Sequence, residues 1–240
     1  MGRAAALLII SLALLAWFEV APHLSSLSTW SSVGIVSLLL MPAMFSLAWL
    51  SVPVWRHPRQ LAIGVALLTI ATLLLSVLDA PVLANFAKFA AVTGVGLLFL
   101  SAFEALWWAV LVAVIIPFVD AYSVWRGPTH SITEHHPATF SKLSIAFVVP
   151  GGSAARLGLP DVMFFALFLG ASVRWNLRPF WTWLGMTIGL GATFALTTVW
   201  SVSGLPALPG IALGFLLPNA DIIWRRLSSE KALKPEEKSL

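Results

Sequence analysis

The sequence predicts an all-α, polytopic membrane protein of one domain with about eight spans, on the strength of composition, run length and punctuation. Of 240 residues, 59% are hydrophobic and only 10% are charged. An ordinary soluble domain carries about 25% charged residues, so there is too little polar surface here to cover a water-soluble globule. The apolar residues fall into runs close to the ~20 residues needed to cross a hydrocarbon core, separated by charges, Pro and Gly. Backbone groups in lipid have to be satisfied within their own segment, so the spans are expected to be helices.

The first run, near 4–21, follows Met1, Gly2 and Arg3 and has the outline of a signal peptide. No small-x-small site followed by a soluble domain comes after it, so it reads as a retained span. The next runs lie near 31–54, 61–79, 82–102 and 105–125, the last two nearly touching at Glu104. The connection from Arg126 to Leu157 is the one sizeable soluble piece, and Pro150-Gly151-Gly152 reads as a loop within it. Three more spans are expected near 158–175, 180–200 and 205–224, before a basic tail over 226–240. Residues 1–104 are then N-terminal spans, and 105–225 the remaining spans with the loop over 126–157. Trp17, Trp30, Trp55, Trp125, Trp175, Trp181, Trp200 and Trp224 fall near run ends, where indoles anchor at the membrane interface. Gly185-Met186-Thr187-Ile188-Gly189 reads as a helix-packing face.

Composition also excludes chemistries. With no Cys, thiol nucleophiles, disulfides, thiolate zinc and iron–sulfur ligation are removed. The net charge of +4 and pI near 10.0 do not indicate nucleic acid, because the basic residues are scattered between apolar runs and gathered in the tail. They mark a cytoplasmic side instead. With the N-terminus cytoplasmic, Arg3, Arg56, Arg59, Arg174, Arg178, Arg225, Arg226, Lys231, Lys234 and Lys238 lie inside, and only Arg126, Lys142 and Arg156 outside. That bias predicts a multi-pass cell-membrane protein with both termini cytoplasmic.

Carboxylates in or near apolar spans are costly and therefore functional candidates. Glu19, Asp79, Glu104 and Asp221 sit at span ends or turns, where water or headgroups reach them. Asp120, about five residues before the end of one span, and Asp161, just inside the next, differ. At about 1.5 Å per residue, antiparallel spans place them at a similar depth, where they can face each other. Two carboxyls sharing a low-dielectric site cannot both ionise; one keeps a proton while the other acts as base toward a bound water. His130, Glu134, His135 and His136 are read as exposed loop residues, since their order is not the His-Glu-x-x-His of a zinc protease; no metal or cofactor is expected.

The surrounding residues add to this reading. Val119-Asp120, then Gly127-Pro128 and Glu134, then Leu157-Gly158-Leu159-Pro160-Asp161-Val162, and finally Leu205-Pro206-Ala207-Leu208-Pro209 occur in that order. This set resembles the presenilin and signal peptide peptidase family of intramembrane aspartyl proteases over roughly residues 105–225. In that family the first aspartate usually follows Tyr, the second closes Gly-x-Gly-Asp, and a Pro-Ala-Leu motif opens the last span. Here Val119 replaces the Tyr, Pro160 replaces the second Gly, and eight spans stand against the usual nine. The resemblance implies a presenilin-like fold with Asp120 and Asp161 as the catalytic pair. It also implies that Gly158, Leu159, Pro160, Pro206, Ala207 and Leu208 receive an unwound transmembrane helix or remnant signal peptide. The partners it implies are membrane-embedded peptides and the bilayer, and the loop-outside orientation is similar to that of signal peptide peptidase.

Three other readings remain open at this level. A catalytically inactive relative that binds membrane helices without cutting them is favoured by Pro160. A prepilin-peptidase-like protease also uses two membrane-associated aspartates, but the absence of Lys soon after Asp161 and the presence of 205–209 speak against it. A proton-coupled transporter would use the same two acids, yet the sequence has no internal repeat of the kind such folds often show.

Overall fold

Proline marks the first turn of most of the later helices. Its missing N–H costs nothing there, because the first turn has no intrahelical acceptor for it, and its fixed φ suits a helix start. In the computed structural model, which describes residues 2–126, 140, 142–200, 202 and 204–233, the chain is mostly helical. Eight helices run in order among the described residues. They are α1 (Arg3–Val20), α2 (Thr29–Arg56), α3 (Pro58–Val77), α4 (Pro81–Ser101), α5 (Leu106–Arg126), α6 (Leu159–Arg174), α7 (Pro179–Trp200) and α8 (Leu208–Leu233). They follow the eight apolar runs, and the near-contact at Glu104 is a genuine break between α4 and α5. Six of them, α1 to α5 and α7, are long and apolar enough to cross a membrane.

Two irregularities have local causes. In α2 the ladder widens into a π-turn over Val36–Leu40, just before Pro42. Proline offers no N–H and crowds the preceding turn, and a wide turn takes up that mismatch. In α5 Pro117 lies inside the helix, three residues before Asp120.

The core forms around α6, which has only 16 residues and is buried from Phe164 through Ser172. A helix apolar on every face belongs in the middle of a bundle. Phe165 stacks on Phe45 of α2 with ring centroids 3.9 Å apart, and Phe168 stacks on Phe215 of α8 at 5.0 Å. Gly96 of α4 lies so close that a Cβ there would run into the Met163 carbonyl. On the flank, the packing face expected at Gly185 and Gly189 of α7 meets a second such pair, Gly210 and Gly214, on α8. A Cβ at Gly185 would stand 2.8 Å from the Gly214 carbonyl oxygen, and one at Gly210 would stand 2.8 Å from that of Gly189. Lower on the same pair, fully buried Asn219 donates to Thr182 Oγ1 and to the Phe215 carbonyl, both at 2.7 Å, and accepts the Arg178 N–H at 2.9 Å.

The stretch expected as plain loop contains a β-hairpin, which corrects that part of the reading. Strands β1 (Ser144–Val148) and β2 (Ala154–Gly158) pair antiparallel with Ala146 opposite Arg156. Gly151 and Gly152 turn the chain at φ of 89° and 78°, a region that L side chains avoid. Gly151 also lies against the Ser26 backbone, where a Cβ would come within 2.8 Å of Ser26 Cα. Ile145 and Phe147 point into the core, both fully buried. Apolar alternation followed by Pro-Gly-Gly is a hairpin signal that the surrounding polar loop obscures.

Candidate functional site

Alternating helix directions bring the end of α5, the start of α6, the end of α7 and the start of α8 to the hairpin side of the bundle. There they enclose a cavity of about 580 Å³. Asp120 reaches it from α5 and Asp161 from α6; Arg156 and Gly158 of β2 form one wall, and Ala207, before α8, another. Met41, beside the π-turn, Leu190, Thr193 and Phe194 of α7, and Leu205 are among the other residues of an amphipathic lining.

Each carboxyl is held by a backbone N–H. Asp120 Oδ2 accepts the N–H of Leu208 at 2.9 Å. Leu208 is the first residue of α8, so this N–H is one of the donors a helix start leaves without an intrahelical acceptor, and the positive end of the helix dipole favours an anion there. Asp161 is the third residue of α6, and its Oδ2 accepts the Gly158 N–H at 3.1 Å, the returning arm of a capping box. A Cβ on Gly158 would sit 3.0 Å from that oxygen, so the small residue leaves the carboxyl room. Both aspartates are half-buried and line the same cavity. A base and an acid facing one cavity can move a proton onto and off a polarised carbonyl group.

Of the residues expected at the site, the structure gathers Asp120, Asp161, Gly158, Pro160 and Ala207 around the cavity. Leu208 contributes through its N–H, while its side chain is buried in the core. Leu159 also packs against the core, with its N–H donated to the Leu143 carbonyl at 3.3 Å, and is not among the cavity-lining residues. Pro206 is half-buried beside Ala207 and likewise stands off the wall.

Of the other acids, Asp221 forms ion pairs with Arg178 at 2.7 Å and Arg225 at 2.9 Å near the far end of the bundle, and Asp79 occupies a turn at φ of 53°. His130, Glu134, His135 and His136 lie outside the described residues. Among the described residues no three His or carboxylate side chains gather as a metal site would require.

Three residues that the sequence reading did not assign to the site hold the hairpin. The Asn85 side chain donates to the Ala146 carbonyl at 3.0 Å and accepts the Ala146 N–H at 2.9 Å. Lys88 Nζ donates to the carbonyls of Lys142 at 3.0 Å and Ser144 at 2.9 Å. Trp17, read as an interfacial anchor, donates its indole N–H to the Val148 carbonyl at 3.0 Å. An amide and an ammonium inside the otherwise apolar α4 were the available signal. Compared with models of known protein families and with curated proteins, the chain matches none.

Proposed function

We propose that the protein is an intramembrane aspartyl protease of the presenilin and signal peptide peptidase type, cutting transmembrane helices or remnant signal peptides. The observation that carries this reading is the meeting of Asp120 and Asp161, from successive helices, over one cavity with the 205–208 segment as its neighbour. In the proposed reaction one carboxylate takes a proton from a water as the water oxygen bonds to the scissile carbonyl carbon. The other, protonated, carboxyl donates to the carbonyl oxygen. The C–N bond then breaks as the first carboxyl passes the water's proton to the nitrogen and the second takes a proton back from the gem-diol, leaving a carboxyl and an amine terminus. A helical substrate has its amides sealed by internal hydrogen bonds, so it unwinds first and lies along β2 by strand addition.

The test is incubation of the detergent-purified protein with a panel of single-span peptides across a range of pH. Two coupled carboxyls titrate as a pair and the reaction needs the singly protonated form, so cleavage should rise and fall with pH in a bell. A flat profile with the fold intact would remove the dyad mechanism. A second reading, an inactive relative that binds without cutting, is favoured by Pro160 and by the engagement of Asp161 as a helix cap. Binding of the panel with no cleavage at any pH would establish it.

The proposal includes eight spans, with both termini cytoplasmic and the hairpin outside. Ser153, exposed in the hairpin turn, tests this in a chain with no native Cys. Ser153→Cys should react with an impermeant maleimide added outside intact cells, and labelling from the cytoplasmic face alone would reverse the orientation.

A further inference from the structure

Residues of an antiparallel pair alternate between those that bond across the ladder and those whose N–H and C=O point out of the sheet. Ala146 is of the second kind, because the Asn85 side chain takes both of its backbone groups. Ser144 and Val148, two residues away on either side, likewise turn their carbonyls outward to Lys88 and Trp17. Their register partners are Gly158, Arg156 and Ala154, which therefore direct their backbone groups out of the other edge of the hairpin. All three line the cavity that holds Asp120 and Asp161. One edge of the hairpin is thus closed by side chains from α1 and α4, and the other faces the two carboxyls.

We infer that Trp17, Asn85 and Lys88 are positioning residues that fix the register in which an extended peptide lies along β2, and so select the bond offered to the carboxyls. This rests on the strand-addition reading of the cavity given above. A lone two-stranded hairpin is marginal in its own right, so the clamp supplies the rigidity that pairing needs. A slip of one residue would turn every side chain to the opposite face, whereas a slip of two preserves the faces and moves the chain by about 7 Å. A loosened hairpin therefore admits registers two residues apart, and a peptide bound to it is presented at more than one bond.

The absence of native Cys allows a test that does not depend on cleavage. Ala154→Cys places a thiol on the β2 edge, and a single Cys is moved along a one-span peptide while disulfide yield is measured. With the clamp intact the yield should peak at one peptide position. Adding Asn85→Ala should spread the peak to positions two residues on either side, lowering the selectivity at least threefold. Trp17→Phe, which removes one N–H and little volume, and Lys88→Met should broaden it less, and Lys88→Arg should restore the single peak. In cleavage assays the same loosened variants should give products two residues apart, with KM raised and kcat little changed. An unchanged single peak in folded Asn85→Ala and Lys88→Met proteins overturns the inference, as does failure of every peptide position to crosslink with the clamp intact. Register-specific crosslinking without cleavage at any bond would support the clamp and overturn the proteolytic reading alone.

Discussion

Asp120→Asn and Asp161→Asn should each reduce peptide cleavage by about a thousandfold or more, the scale of losing a positioned acid or base, and the double variant should be no slower than either one. Groups that act as a unit are grossly non-additive: once one carboxyl is gone, the other has no partner with which to divide the proton work. Asn is the informative replacement because it keeps the shape and one carbonyl oxygen. It can still accept the Leu208 N–H at position 120 and the Gly158 N–H at position 161, so the fold is retained while the titratable pair is lost. Ala would confound the result, since removing a helix cap costs about 1 kcal/mol. Peptide cleavage is followed by mass spectrometry, with thermal unfolding as the check on folding. Single variants that retain a tenth of the activity, or losses that multiply in the double variant, would show that the two acids do not act together.

The largest effect on stability is expected at the α7–α8 contact. Gly214→Leu should destabilise the bundle by roughly 3 kcal/mol or more, the upper range for overpacking, because a Cβ there already overlaps the backbone of Gly185 and Met186. Gly189→Leu should behave alike, since its Cβ would overlap the backbone of Gly210. Small residues let two helices approach in a lipid environment, where burial from water is no longer the driving force. Gly64→Leu is the control: nothing lies within 4 Å of its Cβ position, so it should unfold near the wild-type temperature. Because α8 also carries the Leu208 N–H to Asp120, displacement of this helix should abolish any cleavage together with the packing. Unfolding at wild-type temperature in Gly214→Leu would mean that the two backbones are not in contact.

The helices and the convergence of Asp120 and Asp161 on one cavity were legible in the sequence for one reason: both are set by contrasts along the chain itself. Apolar runs of spanning length report helices in lipid, and a carboxylate just inside two successive runs reports its own depth. The Gly185 and Gly189 face was legible for the same reason, although its partner, Gly210 and Gly214, needed the packing of α7 on α8 to be identified. The hairpin was harder to see, because its stability comes from far along the chain. Trp17, Asn85 and Lys88 reach β1 from α1 and α4, and no pattern within 144–158 records them. Leu159 illustrates the converse limit. It neighbours both Gly158 and Pro160, yet the ladder bond to Leu143 and its packing against the core set it apart from the cavity lining.

The enclosure of α6 has a consequence for biogenesis. Its neighbours Phe45, Gly96 and Phe215 come from early, middle and late stretches of the chain. Synthesis delivers the N-terminal segments first, so α1 to α5 are made before the helix on which α2, α4 and α5 pack. When α6 arrives, Phe168 still lacks the ring of Phe215, and Asp120 still lacks the Leu208 N–H, until α8 has been made. Completion of the core and completion of the paired-carboxyl cavity are therefore the same late event. On the proposed function, a nascent chain would pass other membrane segments before it holds the assembled site that would act on them.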